Sequence, residues 1–165
     1  MRDTHRRNVR LATAATLTAA ALMLAYLEAV LGFLIPIPGV KLGLANLATL
    51  LLLYRFGASY AVTVSLLRIC LAALLVGSPF SFLYSLVGGI LALLGMLLLC
   101  RLGFSPIAGS TLGGMLHVVG QIGVACIVTE TPRLLYYLPI LLTAGFVTGL
   151  ALGLLSVKLI PRMPK

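Results

Sequence analysis

The stretch LGFLIPIPGVKLGLAN, residues 31–46, interrupts a strongly apolar chain with a group of helix-breaking residues. Pro36 and Pro38 each lack a backbone N–H donor and Gly39 weakens helical order, so the three do not belong inside a regular helix. The apolar run that follows, residues 40–54, would form about 22 Å of helix, against a hydrocarbon core of about 30 Å. The pattern predicts a short, discontinuous membrane helix that begins after a break in the chain.

Lys41 lies in the predicted first turn of this helix and is the one lysine between residues 1 and 157. The free N–H groups and the positive dipole end of a helix start favour anions. A cation placed beside them is unfavourable unless an anion joins it, so Lys41 and the helix start together predict an anion site. The alternative is that Lys41 extends its amine to the lipid headgroups.

Composition places the chain among integral membrane proteins, because 61% of its 165 residues are hydrophobic and only 9% are charged. Its twelve basic and three acidic residues would suggest nucleic acid in a soluble protein, but basic and aromatic residues are not interleaved as that binding requires. Cys70, Cys100 and Cys126 stand singly in apolar runs, without the spacing of metal sites or disulfides. We therefore expect no nucleic-acid partner, no metal and no cofactor.

The apolar segments predict an all-α, polytopic membrane bundle of about six helices that forms a single domain, residues 1–165. Basic flanks, residues 1–10 and 158–165, precede and follow it. Nine basic residues fall on the side of the termini, against Lys41 and Arg133 on the other, so both termini are expected in the cytoplasm. The segments are at about residues 11–31, 40–54, 58–76, 82–100, 107–128 and 134–157.

Small residues recur at four-residue spacing and so share one helix face in two of the predicted helices. Ala15 and Ala19 do so in the first, and Gly145, Gly149 and Gly153 in the last. Such faces let helix backbones approach closely in lipid. Two interpretations stay open: packing within the bundle, or a surface for a partner subunit.

Polar side chains inside the spans are functional candidates, because they are costly in lipid. Arg68 and His117 each lie ten residues into a predicted helix, which places both about 15 Å deep. Gln121 follows His117 by one turn on the same face. Structural alternatives are an ion pair between Arg68 and Glu28, and a core histidine bonded across helices. The predicted cavity for a small anionic or polar ligand is lined by Glu28, Lys41, Asn46, Arg68, His117 and Gln121.

Catalysis is not expected from this sequence. A prenyl diphosphate synthase needs clustered carboxylates to hold Mg²⁺ on its substrate, whereas Asp3, Glu28 and Glu130 are isolated. There is no Gly-rich phosphate loop of the GxxxxGK[ST] kind, so ATP hydrolysis would need another chain. The chain is therefore predicted to be a noncatalytic protein.

Four blocks resemble one known family: PIPGVKLGLANLATLLLLY, LLRICLAALLVGSPFSFLYSLVGGILALLGM, GGMLHVVGQ and YYLPILLTAGFVTGL. The family is the bacterial heptaprenyl diphosphate synthase component I family, also called the Gx transporter family. Its members look like the S components of energy-coupling factor transporters. The resemblance implies a six-helix bundle with a ligand pocket toward the outer face, a transmembrane scaffold that docks on the first helix, and two ATPase subunits. Val118 departs from the asparagine expected after His117.

Three functions follow as alternatives. The first is an S-component-like subunit that binds and imports a small anionic or amphipathic metabolite, with charge recognition by Lys41 and Arg68. The second is a noncatalytic membrane partner of a soluble prenyl diphosphate synthase. The third is a stand-alone carrier coupled to ions through Glu28 and His117.

Overall fold

The computed structural model describes residues 2–31, 43–76 and 79–164, and over these ranges the chain forms six α-helices and no strand. The prediction of an all-helical bundle is confirmed. Short 3₁₀ helices, Pro132–Tyr137 and Ile160–Arg162, flank the last α-helix. The α-helices are α1 (Arg2–Leu31), α2 (Leu44–Phe56), α3 (Ala58–Val76), α4 (Pro79–Arg101), α5 (Pro106–Val128) and α6 (Leu138–Leu159).

The helices differ in their ability to cross a membrane. Among the described residues, four segments are long and apolar enough to span one, whereas α2 and α3 offer shorter apolar stretches. With 13 residues, α2 is about 20 Å long, which confirms the predicted short helix. The helix begins at Leu44 and not at residue 40, so the prediction that Lys41 lies in its first turn is wrong. The Pro/Gly break and Lys41 lie outside the described residues. The four long segments are Arg7–Glu28, Phe82–Arg101, Pro106–Val128 and Pro132–Arg162.

The short helix α2 is the centre of the bundle, because it packs against each of the other five α-helices. Its apolar residues are distributed around the helix, as expected for a helix surrounded by others. Leu50 and Leu52 have no exposed surface. The main core cluster joins α2 to α1, α3 and α4 and consists of Ala14, Leu50, Leu52, Leu53, Ala61, Val64, Ala92, Leu93 and Met96.

The outer surface of the bundle is apolar. Large side chains stand exposed around it, such as Met23 at 74%, Leu74 at 81% and Ile127 at 78% of their full surface. Soluble monomers seldom expose contiguous apolar surface on this scale. The surface therefore fits a multi-pass protein surrounded by lipid.

Helices α5 and α6 meet along the predicted glycine stripe. A Cβ on Gly145 would lie 2.8 Å from the Gly114 carbonyl oxygen, and one on Gly149 would lie 2.7 Å from the Ser110 carbonyl oxygen. Gly153 meets the backbone of α5 in the same way. These glycines therefore pack within the bundle. The stripe on α1 differs, because Ala15 and Ala19 are both exposed.

One end of the bundle gathers basic residues and holds the C-terminal tail. Arg55, at the end of α2, donates hydrogen bonds to the carbonyl oxygens of Met163 at 2.6 Å and Pro164 at 2.9 Å. Arg10 of α1 stacks over the ring of Phe56, with 5.9 Å from its guanidinium carbon to the ring centre. These contacts place the start of α1, the end of α2 and the end of the chain together, as alternating helix directions require.

Candidate functional site

Arg68 is the one charged side chain that is buried among residues whose burial the structure describes, with 7% of its surface exposed. It lies near the middle of α3, as the eleventh residue of a 19-residue helix. A buried charge costs several kcal/mol unless hydrogen bonds and an opposite charge compensate it. The surroundings of Arg68 therefore decide its role.

Those surroundings satisfy the guanidinium only in part. Nη2 of Arg68 donates a hydrogen bond of 3.3 Å to Oδ1 of Asn46, in the first turn of α2. Glu28 of α1 lies close enough to interact with Arg68 electrostatically. Within the described part of the chain, Nε of Arg68 is buried and has no hydrogen-bond partner. A strong hydrogen-bond donor is therefore unsatisfied in an apolar interior.

Glu28 also touches the start of α2. Its carboxylate accepts a hydrogen bond from the backbone N–H of Gly43, the residue that precedes the helix. Gly43 has a φ of +70°, a left-handed conformation that glycine adopts without steric cost, and no side chain caps this helix start. The N-terminal end of α2 thus binds a carboxylate that belongs to α1, in agreement with the preference of helix starts for anions.

Glu28, Asn46 and Arg68 form what we call the Arg68 cluster, built from α1, α2 and α3. It brings together a carboxylate that binds a helix start and a cation that donates to an amide. All three residues are in the predicted set of ligand-binding residues. The arrangement holds the carboxylate of Glu28 near a buried cation, and the binding of a ligand anion there stays a prediction.

His117 and Gln121 lie on α5, against Gly88 of α4. A Cβ on Gly88 would be 3.2 Å from Cε1 of His117 and 3.1 Å from Cγ of Gln121. The next residue, Gly89, receives the side chain of Ile69, whose Cδ1 would be 2.7 Å from a Cβ there. Because Ile69 follows Arg68 in α3, adjacent residues of α4 contact α5 at His117 and Gln121 and contact α3 next to Arg68.

The structure therefore brings Glu28, Asn46 and Arg68 together, and it places His117 and Gln121 against α4. Over the described residues α3 and α5 do not approach each other directly, so His117 and Gln121 are neighbours of α4 and not of the α3 backbone. Lys41 falls outside the described residues, and its predicted role stays a prediction.

A family model for heptaprenyl diphosphate synthase component I matches residues 17–159, which include the Arg68 cluster, His117 and Gln121. The chain belongs to this family. No match was found among curated proteins or among solved structures. Membership of the heptaprenyl diphosphate synthase component I family is thus established. The resemblance to the S components of energy-coupling factor transporters stays a prediction.

Two features of this family member's site escaped the sequence analysis. Thr49 is 98% buried one turn after Asn46 on α2, and its hydroxyl has no hydrogen-bond partner among the described residues. The sequence signal that could have identified Thr49 was a polar residue within an apolar run. Gly43 contributes a backbone N–H, which no side-chain pattern reveals. No three His, Cys, Asp or Glu side chains of the described chain gather as metal ligands would.

Proposed function

We propose that this heptaprenyl diphosphate synthase component I family member is the substrate-binding subunit of a membrane transporter. It binds a small anionic or amphipathic metabolite and imports it with energy from separate partner subunits. One observation carries the proposal: Arg68 is buried, yet its Nε has no hydrogen-bond partner in the described chain. A ligand anion supplies the acceptor that this donor lacks.

A structural ion pair alone explains Arg68 less well. Buried pairs are stable when hydrogen bonds satisfy the remaining donors, and here one donor stays unsatisfied. The planar guanidinium fork suits carboxylates and phosphates, which bind it through two parallel hydrogen bonds. Asn46 already accepts a hydrogen bond from Nη2, and an oxygen acceptor of the ligand binds the N–H groups that remain, Nε among them.

The place of the cluster fits uptake from outside. It lies where α1 ends and α2 begins, at the opposite end of α2 from Arg55 and the C-terminal tail. The basic residues of the tail end predict that both termini are cytoplasmic in a bacterial cell membrane. The Arg68 cluster then belongs to the outer half of the bundle, where a substrate arrives.

A second function is favoured by the family match. The name of the family is that of a synthase component, and on this basis the chain is a noncatalytic membrane component of heptaprenyl diphosphate synthesis. An isoprenoid diphosphate is itself an amphipathic anion, so its diphosphate suits Arg68 while its chain lies in lipid. The partner is then a soluble prenyl diphosphate synthase that carries the acidic Mg²⁺ site.

Native mass spectrometry of the protein, isolated gently from its own membrane, separates the two functions. The transport proposal predicts a retained anionic metabolite together with scaffold and ATPase subunits. It also predicts that Arg68→Ala and Lys41→Ala both lose the metabolite while the bundle stays folded. Co-purification with a soluble synthase instead would support the second function, and unchanged metabolite retention in both variants would refute the binding site.

A further inference from the structure

We propose that Glu28 is an internal substitute for the ligand: its carboxylate occupies the anion subsite of the ligand-free protein, and a phosphate or carboxylate group of the ligand displaces it. This inference rests on the proposed anion-binding function and assigns it a mechanism of exchange. The subsite consists of the N–H of Gly43, the amide of Asn46 and the guanidinium of Arg68.

The groups around Glu28 are those that bind free anions in other proteins. A backbone N–H at a helix start and an arginine are both common donors to phosphates and carboxylates. Here the Gly43 N–H donates to the Glu28 carboxylate, and Arg68 interacts with it electrostatically. The chain therefore already shows that a carboxylate binds at this place.

Glu28 does not use the whole subsite. Arg68 is 7% exposed, and its Nε stays without a hydrogen-bond partner within the described ranges. A phosphate group has more acceptor oxygens than one carboxylate, so it can satisfy donors that Glu28 leaves over.

The position of Glu28 permits the exchange. It lies in the last turn of α1, which ends at Leu31, and it is partly exposed. A glutamate at such a place leaves by rotation about its side-chain bonds, with no change in the helix core. The ligand anion then supplies the negative charge beside Arg68 that the Glu28 carboxylate gives up.

Competition of this kind lowers the apparent affinity for the ligand. Removal of the competing charge by Glu28→Gln should tighten binding of an anionic probe about tenfold or more, the range expected for a hydrogen-bonded charged group. The matched control is Glu130→Gln, because Glu130 is the only other glutamate and is exposed in the turn after α5. We expect no change in probe affinity for the control.

The two glutamates also allow a direct spectroscopic test. The full chain is labelled with ¹³C at the glutamate carboxyl carbons and placed in lipid nanodiscs, and its carboxylate infrared bands are recorded. In the Glu130→Gln background, Glu28 gives the single labelled band. Farnesyl diphosphate serves as the anionic probe, and farnesol, which has the same chain without the charge, is the control.

The inference predicts that farnesyl diphosphate shifts the Glu28 band, that farnesol does not, and that Glu28→Gln binds the diphosphate more tightly. Binding of the diphosphate to the wild type without a band shift would overturn the exchange and leave the binding function standing. Absence of diphosphate binding in both the wild type and Glu28→Gln would overturn both. The band shift is measured with Glu28 in place, so it tests the exchange even if Glu28→Gln does not fold.

Discussion

Gly114→Ala tests the close packing of α5 and α6. The added Cβ would lie 2.4 Å from the carbonyl oxygen of Gly145 and 3.3 Å from Cα of Gly149. Ordinary contact needs about 3.5 Å, so the helices must separate locally by about 1 Å. The obstacle is backbone, which cannot rotate away as a side chain can. We therefore expect a loss near the upper end of the overpacking range, about 3 kcal/mol in the free energy of unfolding.

Gly123→Ala is the matched control, because it is the same substitution in the same helix and its Cβ would meet nothing within 4 Å. Alanine favours a helix over glycine, so this variant should be as stable as the wild type or up to about 1 kcal/mol more stable. The free energy of unfolding is measured by SDS titration in mixed micelles, followed by near-ultraviolet circular dichroism of the tyrosines. Equal stability of the two variants would refute the packing described for α5 and α6.

Three further predictions concern other contacts of the bundle. Arg55→Ala removes both hydrogen bonds to the C-terminal tail, so hydrogen exchange and proteolysis of the tail should increase; an unchanged tail would contradict the contact. Tyr54→Phe removes the hydroxyl that donates to carbonyl oxygens of the α4–α5 turn, and it should cost about 1 kcal/mol in the same SDS titration, whereas Tyr136→Phe at an exposed position should cost nothing. Ala21→Leu places a large side chain at a fully buried position of α1 and should lower the free energy of unfolding by about 1–3 kcal/mol. Ala15→Leu, on the exposed face of α1, should leave it unchanged. A larger loss for Ala15→Leu than for Ala21→Leu would mean that α1 is rotated.

Much of the fold follows from local signals in the sequence. Long apolar runs and flanking basic residues were sufficient to locate the helices, and α3 has the predicted bounds, Ala58–Val76. The start of α1 differs, because the helix extends through the basic segment to Arg2. Hydrophobicity cannot show that boundary, since arginine is itself a good helix former.

The centre of the bundle was harder to predict. A short helix after a Pro/Gly break was predicted as a half-span, and the structure makes α2 the element that every other α-helix contacts. Contacts between helices that are distant in sequence depend on three-dimensional packing. A single apolar run does not show which other runs it contacts. For the same reason the sequence could not decide between the two roles of the small-residue stripes, whereas the structure buries that of α6 and exposes Ala15 and Ala19.

The candidate site was predicted by the cost of polar groups in lipid. That argument selected Glu28, Asn46 and Arg68, which the bundle does bring together. It could not show that His117 and Gln121 contact Gly88 of α4, because depth along a helix does not give the direction of a side chain. Nor could it find the Gly43 N–H, which depends on backbone conformation.

The most direct test of the anion site is the affinity of the full chain in nanodiscs for farnesyl diphosphate and for farnesol, measured by isothermal titration calorimetry. The wild type should bind the diphosphate at least about tenfold more tightly than the alcohol, the range expected for charge-assisted hydrogen bonds. Arg68→Gln should abolish that preference, while Arg133→Gln, at an exposed position in the 3₁₀ helix before α6, should keep it. A preference for the diphosphate that survives in folded Arg68→Gln would contradict the account.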